Sequence, residues 1–236
     1  MKKIAIISTL LLIFSISYSQ SIEELIKTGD DMVSAQNFVE AIKTYSKAID
    51  LNKTLSESYF KRGQAYFYWE QDSSSVQDFD KAISLDPKNP QIYYMRGQAR
   101  TYLGNNQGAL SDYADAIQLD SNYIPPYVKR GYLFIQMGLP DAAFIFFTIA
   151  IQKDPNQPAD VYFARGYCYQ QSKAYKQALD DYSKAIVLNP DYADAFLNSG
   201  NCAQQLNDLN KACAYWRKAV ELGNAIPQVT INENCK

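Results

Sequence analysis

Residues 56–89 read SESYFKRGQAYFYWEQDSSSVQDFDKAISLDPKN, and residues 90–123 read PQIYYMRGQARTYLGNNQGALSDYADAIQLDSNY. Each stretch is 34 residues long, and the two place glycine, an aromatic ring and alanine at the same offsets: Gly63 and Gly97, Phe79 and Tyr113, Ala82 and Ala116. The register extends in both directions. Glycines recur at Gly29, Gly63, Gly97, Gly131, Gly166 and Gly200, with spacings of 34, 34, 34, 35 and 34. Alanines keep step at Ala48, Ala82, Ala116, Ala150, Ala185 and Ala219, as do rings at Tyr45, Phe79, Tyr113, Phe147, Tyr182 and Trp216. Small residues fill a further position: Ala41, Ser75, Ala109, Ala143, Ala178 and Ala212. The chain has only ten glycines, so six of them in register is not chance. A period of this length marks stacked supersecondary units.

Numbered in slots from Ile22, the repeats are 22–55, 56–89, 90–123, 124–157, 159–192 and 193–226, with one extra residue near Pro158. Apolar residues at slots 4, 11, 17, 20, 21, 24, 27 and 28 mark two amphipathic helices per repeat, A and B. Glycine at slot 8 and small residues at slot 20 remove bulk where A crosses B, and alanine at slot 27 does the same between repeats. Rings at slots 4 and 24 are expected beside those contacts. Pro87, Pro155 and Pro190 at slot 32 end helix B. One repeat cannot bury its apolar face alone, so stacking supplies the core.

This pattern resembles the tetratricopeptide repeat family over about 205 of the 236 residues. The resemblance implies an all-α fold, a right-handed α-solenoid of six helix-turn-helix repeats with a short C-terminal cap over 227–236. Ile226, Val229 and Ile231 are expected to lie across the last repeat, with a short helix from Pro227.

Slot 7 is Arg62, Arg96, Arg130 and Arg165, and slot 23 is Asp78, Asp112 and Asp181 in three of those repeats. Acids that follow arginines in register read as structural ion pairs rather than a ladder for a polyanion. Phe146 interrupts the rule and leaves Arg130 to take a neighbour's carboxylate.

In the family, helix A lines a concave face through slots 2, 5, 9, 12 and 13. Carried onto this chain, the resemblance gives Phe60, Gln64, Phe67, Tyr68, Tyr94, Gln98, Tyr102, Tyr132, Gln136, Phe163, Tyr167, Gln171 and Asn201. Rings and amides with few charges suit an extended or helical segment of another protein. Slot 5 is Ile26, Phe60, Tyr94, Val128, Phe163 and Leu197. With no lysine there, the carboxylate clamp of chaperone-binding members is missing. Groove and packing slots are expected to overlap little.

A second candidate surface lies on helix B of the fourth repeat, where Ile145, Phe146 and Ile149 occupy slots that are mostly polar elsewhere and that normally face solvent. Residues 145 and 149 share a face. A partner, a second copy of the chain or the loop around Pro158 would cover it.

Residues 1–19 read as a secretory signal peptide. Lys2 and Lys3 precede an apolar run from Ile4 to Ser17, and Ser17-Tyr18-Ser19 sets small residues ahead of a cut before Gln20. The run is shorter than the ~20 residues needed to span a bilayer. No cysteine lies near the cut, which argues against a lipoprotein. The expected product is soluble, periplasmic or extracellular. That compartment permits a disulfide among Cys168, Cys202, Cys213 and Cys235, none of which forms a CxxC pair. Cys213 with Cys235 would close the C-terminal tail and stabilise by about 3 kcal/mol in the chain-entropy model. Cys202 with Cys213 competes.

There is no histidine, which excludes Ser-His-Asp, Cys-His and His-ligated zinc chemistry. No phosphate-binding glycine loop or metal-ligand spacing occurs, so neither catalysis, cofactor nor metal is expected. The net charge of −2 disfavours nucleic acid and anionic lipid as partners. The leading reading is a non-catalytic protein-interaction scaffold that holds a partner's peptide segment in the groove. The alternative is an assembly factor that self-associates, as a homodimer for instance, or docks on an envelope complex through the fourth repeat. A glycan-binding role ranks third.

Overall fold

The computed structural model describes residues 21–224 and residue 235. The signal segment and the expected cap residues Ile226, Pro227, Val229 and Ile231 lie outside the described residues.

Among the described residues the chain is all-α, with twelve helices and no strand. Helix α1 covers 21–34. It is followed by α2 (Phe38–Leu51), α3 (Ser56–Tyr68), α4 (Asp72–Leu85), α5 (Pro90–Tyr102) and α6 (Asn106–Leu119) in a first compact unit that ends at Ser121. The second unit begins at Asn122. It holds α7 (Pro125–Gln136), α8 (Pro140–Lys153), α9 (Ala159–Gln171), α10 (Tyr175–Leu188), α11 (Ala193–Gln205) and α12 (Leu209–Glu221). Odd-numbered helices are the A helices and even-numbered ones the B helices. Within each unit consecutive helices pack on one another.

Six rings build the two cores. Trp216, Tyr45, Tyr113, Tyr182, Phe79 and Phe147, all from slot 24, are the largest fully buried side chains among the described residues. Each lies against the slot-8 glycine of its own repeat. A Cβ added to Gly63, Gly97, Gly131 or Gly166 would stand 2.7–2.9 Å from the ring of Phe79, Tyr113, Phe147 or Tyr182. At Gly29 and Gly200 it would run into Tyr45 and Trp216 more closely still. The rings therefore occupy the space the glycines vacate, instead of filling gaps beside it. The slot-20 and slot-27 residues are wholly buried, which brings neighbouring backbones together.

The turn after each A helix uses one geometry throughout. Slot 15 has a left-handed backbone at Gln36, Glu70, Gly104, Gly138, Lys173 and Asn207, with φ between 58° and 74°. The next amide then donates back to the carbonyl five residues earlier, as in Asn37 to Met32, Gln71 to Tyr66, Asn105 to Arg100 and Leu139 to Phe134. This is the Schellman closure of a helix end. Only two of the six positions carry glycine, the residue that bears this φ without cost. The last B helix, α12, closes in the same way at Gly223 (φ 89°), with Asn224 donating to Ala219, but four B helices end differently. Asp86, Asp154 and Asn189 accept a hydrogen bond from the amide two residues on, as does Asn52, forming Asx turns.

Two outcomes follow. Gly63→Ala places a methyl into the Phe79 ring and should cost about 1–3 kcal/mol by overpacking. Lys173→Gly, at φ 62°, should leave helicity unchanged and stabilise the chain by about 0.5–1 kcal/mol. Chemical denaturation followed by circular dichroism reads both.

Candidate functional site

Three of the four arginines at slot 7 reach their own repeat's slot-23 acid. Arg62 binds Asp78 through Nε and Nη2 at 2.7 and 2.8 Å, and Arg165 binds Asp181 at 2.7 Å twice. Arg96 binds Asp112, which also accepts from Arg100 at 2.9 Å. Arg62 and Arg96 further bridge to the preceding repeat, at Ser46 (3.0 Å) and Asp80 (2.5 Å). Hydrogen bonds to Asp78 and Asp181 raise the pKa values of Arg62 and Arg165. Burial of Asp112 outweighs its arginines and raises its carboxyl above the usual range. Slot 23 is thus interior, not a solvent-facing position. A buried forked pair adds little net stability, but it fixes how A and B helices register.

Arg130 corrects the expectation of a borrowed carboxylate. Its guanidinium lies 4.5 Å from the Phe146 ring centre, and Phe146 stacks on Phe134 at 5.5 Å. Its buried Nε has no hydrogen-bond partner, and burial lowers its pKa. A cation–π stack replaces the ion pair where slot 23 carries a ring. Phe146 therefore lies beneath Arg130, and of the three candidate interface residues Ile145 is the exposed one, at 54%. Ile149 is half-buried.

The candidate groove residues divide in two groups. In the first unit Phe60 is buried against Phe79 (6.0 Å) and Tyr94 packs on Tyr113 (6.2 Å). Phe60 and Gln64 nevertheless line one side of a polar hollow with Lys61 and Asn89. Gln98 is half-buried and donates to the Met95 sulfur at 3.4 Å. Phe67, Tyr68 and Tyr102 form a connected cluster, with ring centres 5.7 Å apart for Phe67–Tyr68 and 5.6 Å for Phe67–Tyr102. Tyr102 is 73% exposed and Tyr68 48%. With Glu70 and Asp72 these three rings line a hollow of ≈ 470 Å³.

In the second unit the corresponding residues are largely engaged inside the protein. Tyr132 packs edge-on to Phe147 and donates to Asp160 at 2.8 Å. Burial, then that hydrogen bond, raises its pKa. Phe163 sits between Tyr182 and Tyr192 (5.4 and 4.8 Å), and Asn201 accepts from the Trp216 indole at 3.1 Å. Tyr167 is half-buried, while Gln136 and Gln171 are exposed. Groove and packing slots therefore overlap, against the sequence expectation.

The overlap has a rule that the sequence held. Where the slot-24 residue carries a polar atom, a slot-9 or slot-12 residue on helix A receives it. Tyr45 donates to Asp30, Tyr182 to Gln170 and Trp216 to Asn201, and Tyr113 pairs with Thr101. Where slot 24 is Phe79 or Phe147, slot 12 is apolar, Phe67 or Ile135, and packs into the same cluster. A correlated reading of slots 9, 12 and 24 would have found this; the apolar periodicity alone does not.

Sequence models of the tetratricopeptide repeat match residues 29–68, 56–89, 79–111, 159–192 and 193–223. The chain is a tetratricopeptide repeat protein. This array is a scaffold for protein–protein contact, and its family is generally non-catalytic. The structure of Pseudomonas aeruginosa pilF matches 93% of this chain and 100% of that one, at 16% identity and a TM-score of 0.78. The C-terminal part of a repeat-containing protein from Cytophaga hutchinsonii matches over 84% and 78%, at 20% identity and 0.71. YrrB, described as a TPR protein with an unusual peptide-binding site, matches over 75% and 95%, at 25% identity and 0.61. The first two likenesses concern the fold alone. No curated protein matches the chain. Among the described residues no helix is long and apolar enough to cross a membrane, and no group of three or more Cys, Asp and Glu is placed to hold a metal.

Cys213 is bonded to Cys235, and Cys235 packs beside Trp216. Cys168 and Cys202 are free and buried, and burial pushes their thiols up to about 12 and about 11. Native chain at pH 9 should therefore leave both free thiols unalkylated, with full labelling after unfolding, and unreduced peptides should show only the 213–235 link by mass spectrometry. Above the ordinary thiol range of about 8.5 the unfolded chain loses protons that the native chain keeps. Stability should accordingly fall as pH rises from about 9 towards 11.

Proposed function

We propose that this tetratricopeptide protein is a non-catalytic scaffold that holds a peptide segment of a partner protein on the A-helix face of its first unit, in the cell envelope or outside the cell. The observation that carries the reading is the cluster of Phe67, Tyr68 and Tyr102, in which Tyr102 stands largely in solvent and Tyr68 about half so. Large rings that nothing covers are unusual on a surface and are the residue type that anchors protein partners. In the second unit most of the corresponding aromatic groups are engaged internally, so the first unit is the better peptide platform. The peptide-binding site described for YrrB supports the same kind of use. The signal-like residues 1–19 and the Cys213–Cys235 bond support an oxidising compartment.

A second reading rests on Ile145, which stands 54% exposed on α8 beside the half-buried Ile149. It makes that face a docking surface for a second copy or an envelope complex. Peptides selected by display on the full chain test the first reading. Tyr68→Ala with Tyr102→Ala should weaken them by tenfold or more, about 1.4 kcal/mol, and leave folding intact. Peptides indifferent to both tyrosines overturn it. Loss of a concentration-dependent dimer mass in Ile145→Lys would favour the second.

A further inference from the structure

The ring cluster of the first unit has a chemical bias that its aromatic character alone does not convey. The hollow formed by Phe67, Tyr68 and Tyr102 is closed by two acids, Glu70 and Asp72, and no lysine or arginine lines it. Glu70 is the left-handed residue that ends the α3 turn, at φ 58°. Asp72 opens α4, whose N-cap Gln71 makes no side-chain cap bond. The first unit's arginines and Lys61 are committed to other carboxylates: Asp78, Asp80 and Asp112 have arginines, and Asp30 has Lys61. Among the described residues neither Glu70 nor Asp72 has an ion-pair partner, and no cation lies over Phe67, Tyr68 or Tyr102, although Arg62 lies over Tyr59 and Tyr66, and Arg96 over Tyr93. The two acids also lie close enough to feel each other: burial, then the charge of Glu70, raises the pKa of Asp72. Ring faces carry negative quadrupoles that attract a cation, and carboxylates beside them add a forked acceptor.

We propose that this hollow receives an arginine side chain of the partner's peptide, its guanidinium stacked on the tyrosines and paired with Glu70 and Asp72. The inference rests on the peptide-binding reading above and specifies its ligand. Arginine fits better than lysine because its planar group stacks on rings and pairs bidentately at once. A hydrophobic side chain would leave the two carboxylates uncompensated beside it. The site belongs to this pair of repeats alone, since slot 13 is Gln136, Gln171 and Gln205 in the second unit.

The test uses the full chain, uniformly labelled with nitrogen-15, titrated with N-acetyl-argininamide and with its uncharged isostere, N-acetyl-citrulline amide. Saturable amide shifts confined to residues 67–72 and 102 are expected with the arginine compound, at an affinity at least tenfold above the citrulline one. Glu70→Gln with Asp72→Asn should remove that preference while the rest of the spectrum stays unchanged. Equal shifts with both compounds, or none with either, overturn the proposal. A chain that keeps tyrosine-dependent display peptides yet does not discriminate the two probes retains the peptide-binding reading and loses only the arginine.

Discussion

An aromatic ring pressed on a bare backbone is the constraint from which this molecule is built. Six times a slot-24 aromatic lies where the slot-8 residue can have no side chain, and among the described residues those six rings are the largest groups fully hidden from water. Burying such rings supplies much of the driving force for folding. Their bulk also sets the distance between helices A and B, and the wholly buried slot-20 and slot-27 residues then have only one depth at which to fit. Arginine–aspartate forks at the same crossings hold rotational register, and where Phe146 removes the acid, Arg130 keeps its place by stacking instead. The ring-on-glycine contact is common to all six repeats, while the polar device varies.

Much of this was legible in the sequence because it is periodic. The glycine, alanine and aromatic series announced paired helices, and the arginine and aspartate series announced forks. What escaped was written in correlations between slots or in backbone angles. Nothing about Glu70 or Lys173 as residue types signals a left-handed turn, which is imposed by the closure of the preceding helix. The family's solvent-facing phase does not hold for slot 23, whose side chain is directed at slot 7 of helix A. Slot 5 belongs to the groove in the family's pattern, yet Phe60, Tyr94 and Phe163 each lean on the slot-24 ring, as their size and lack of charge allow.

The candidate site was legible only in outline. The family's A-helix slots pointed to the right side of each repeat, but they cannot distinguish a tyrosine whose hydroxyl is already engaged from one left in solvent. Tyr132 and Tyr102 look alike on paper. The first has Asp160 within hydrogen-bond reach and Phe147 at its edge; the second has a neighbouring ring and little else. Exposure is decided by the neighbouring repeat, and that lies outside any single-repeat pattern.

The polarity rule at slot 24 carries a consequence for how such a surface is made. A hydroxyl in the core obliges helix A to spend a polar side chain on receiving it. Phe79 has no hydroxyl, so position 67 is released from that duty and holds a phenyl ring that reaches from the core to the floor of the acidic hollow. The single oxygen atom that separates phenylalanine from tyrosine, hidden from solvent, thereby governs which chemistry the outer wall of that repeat can display.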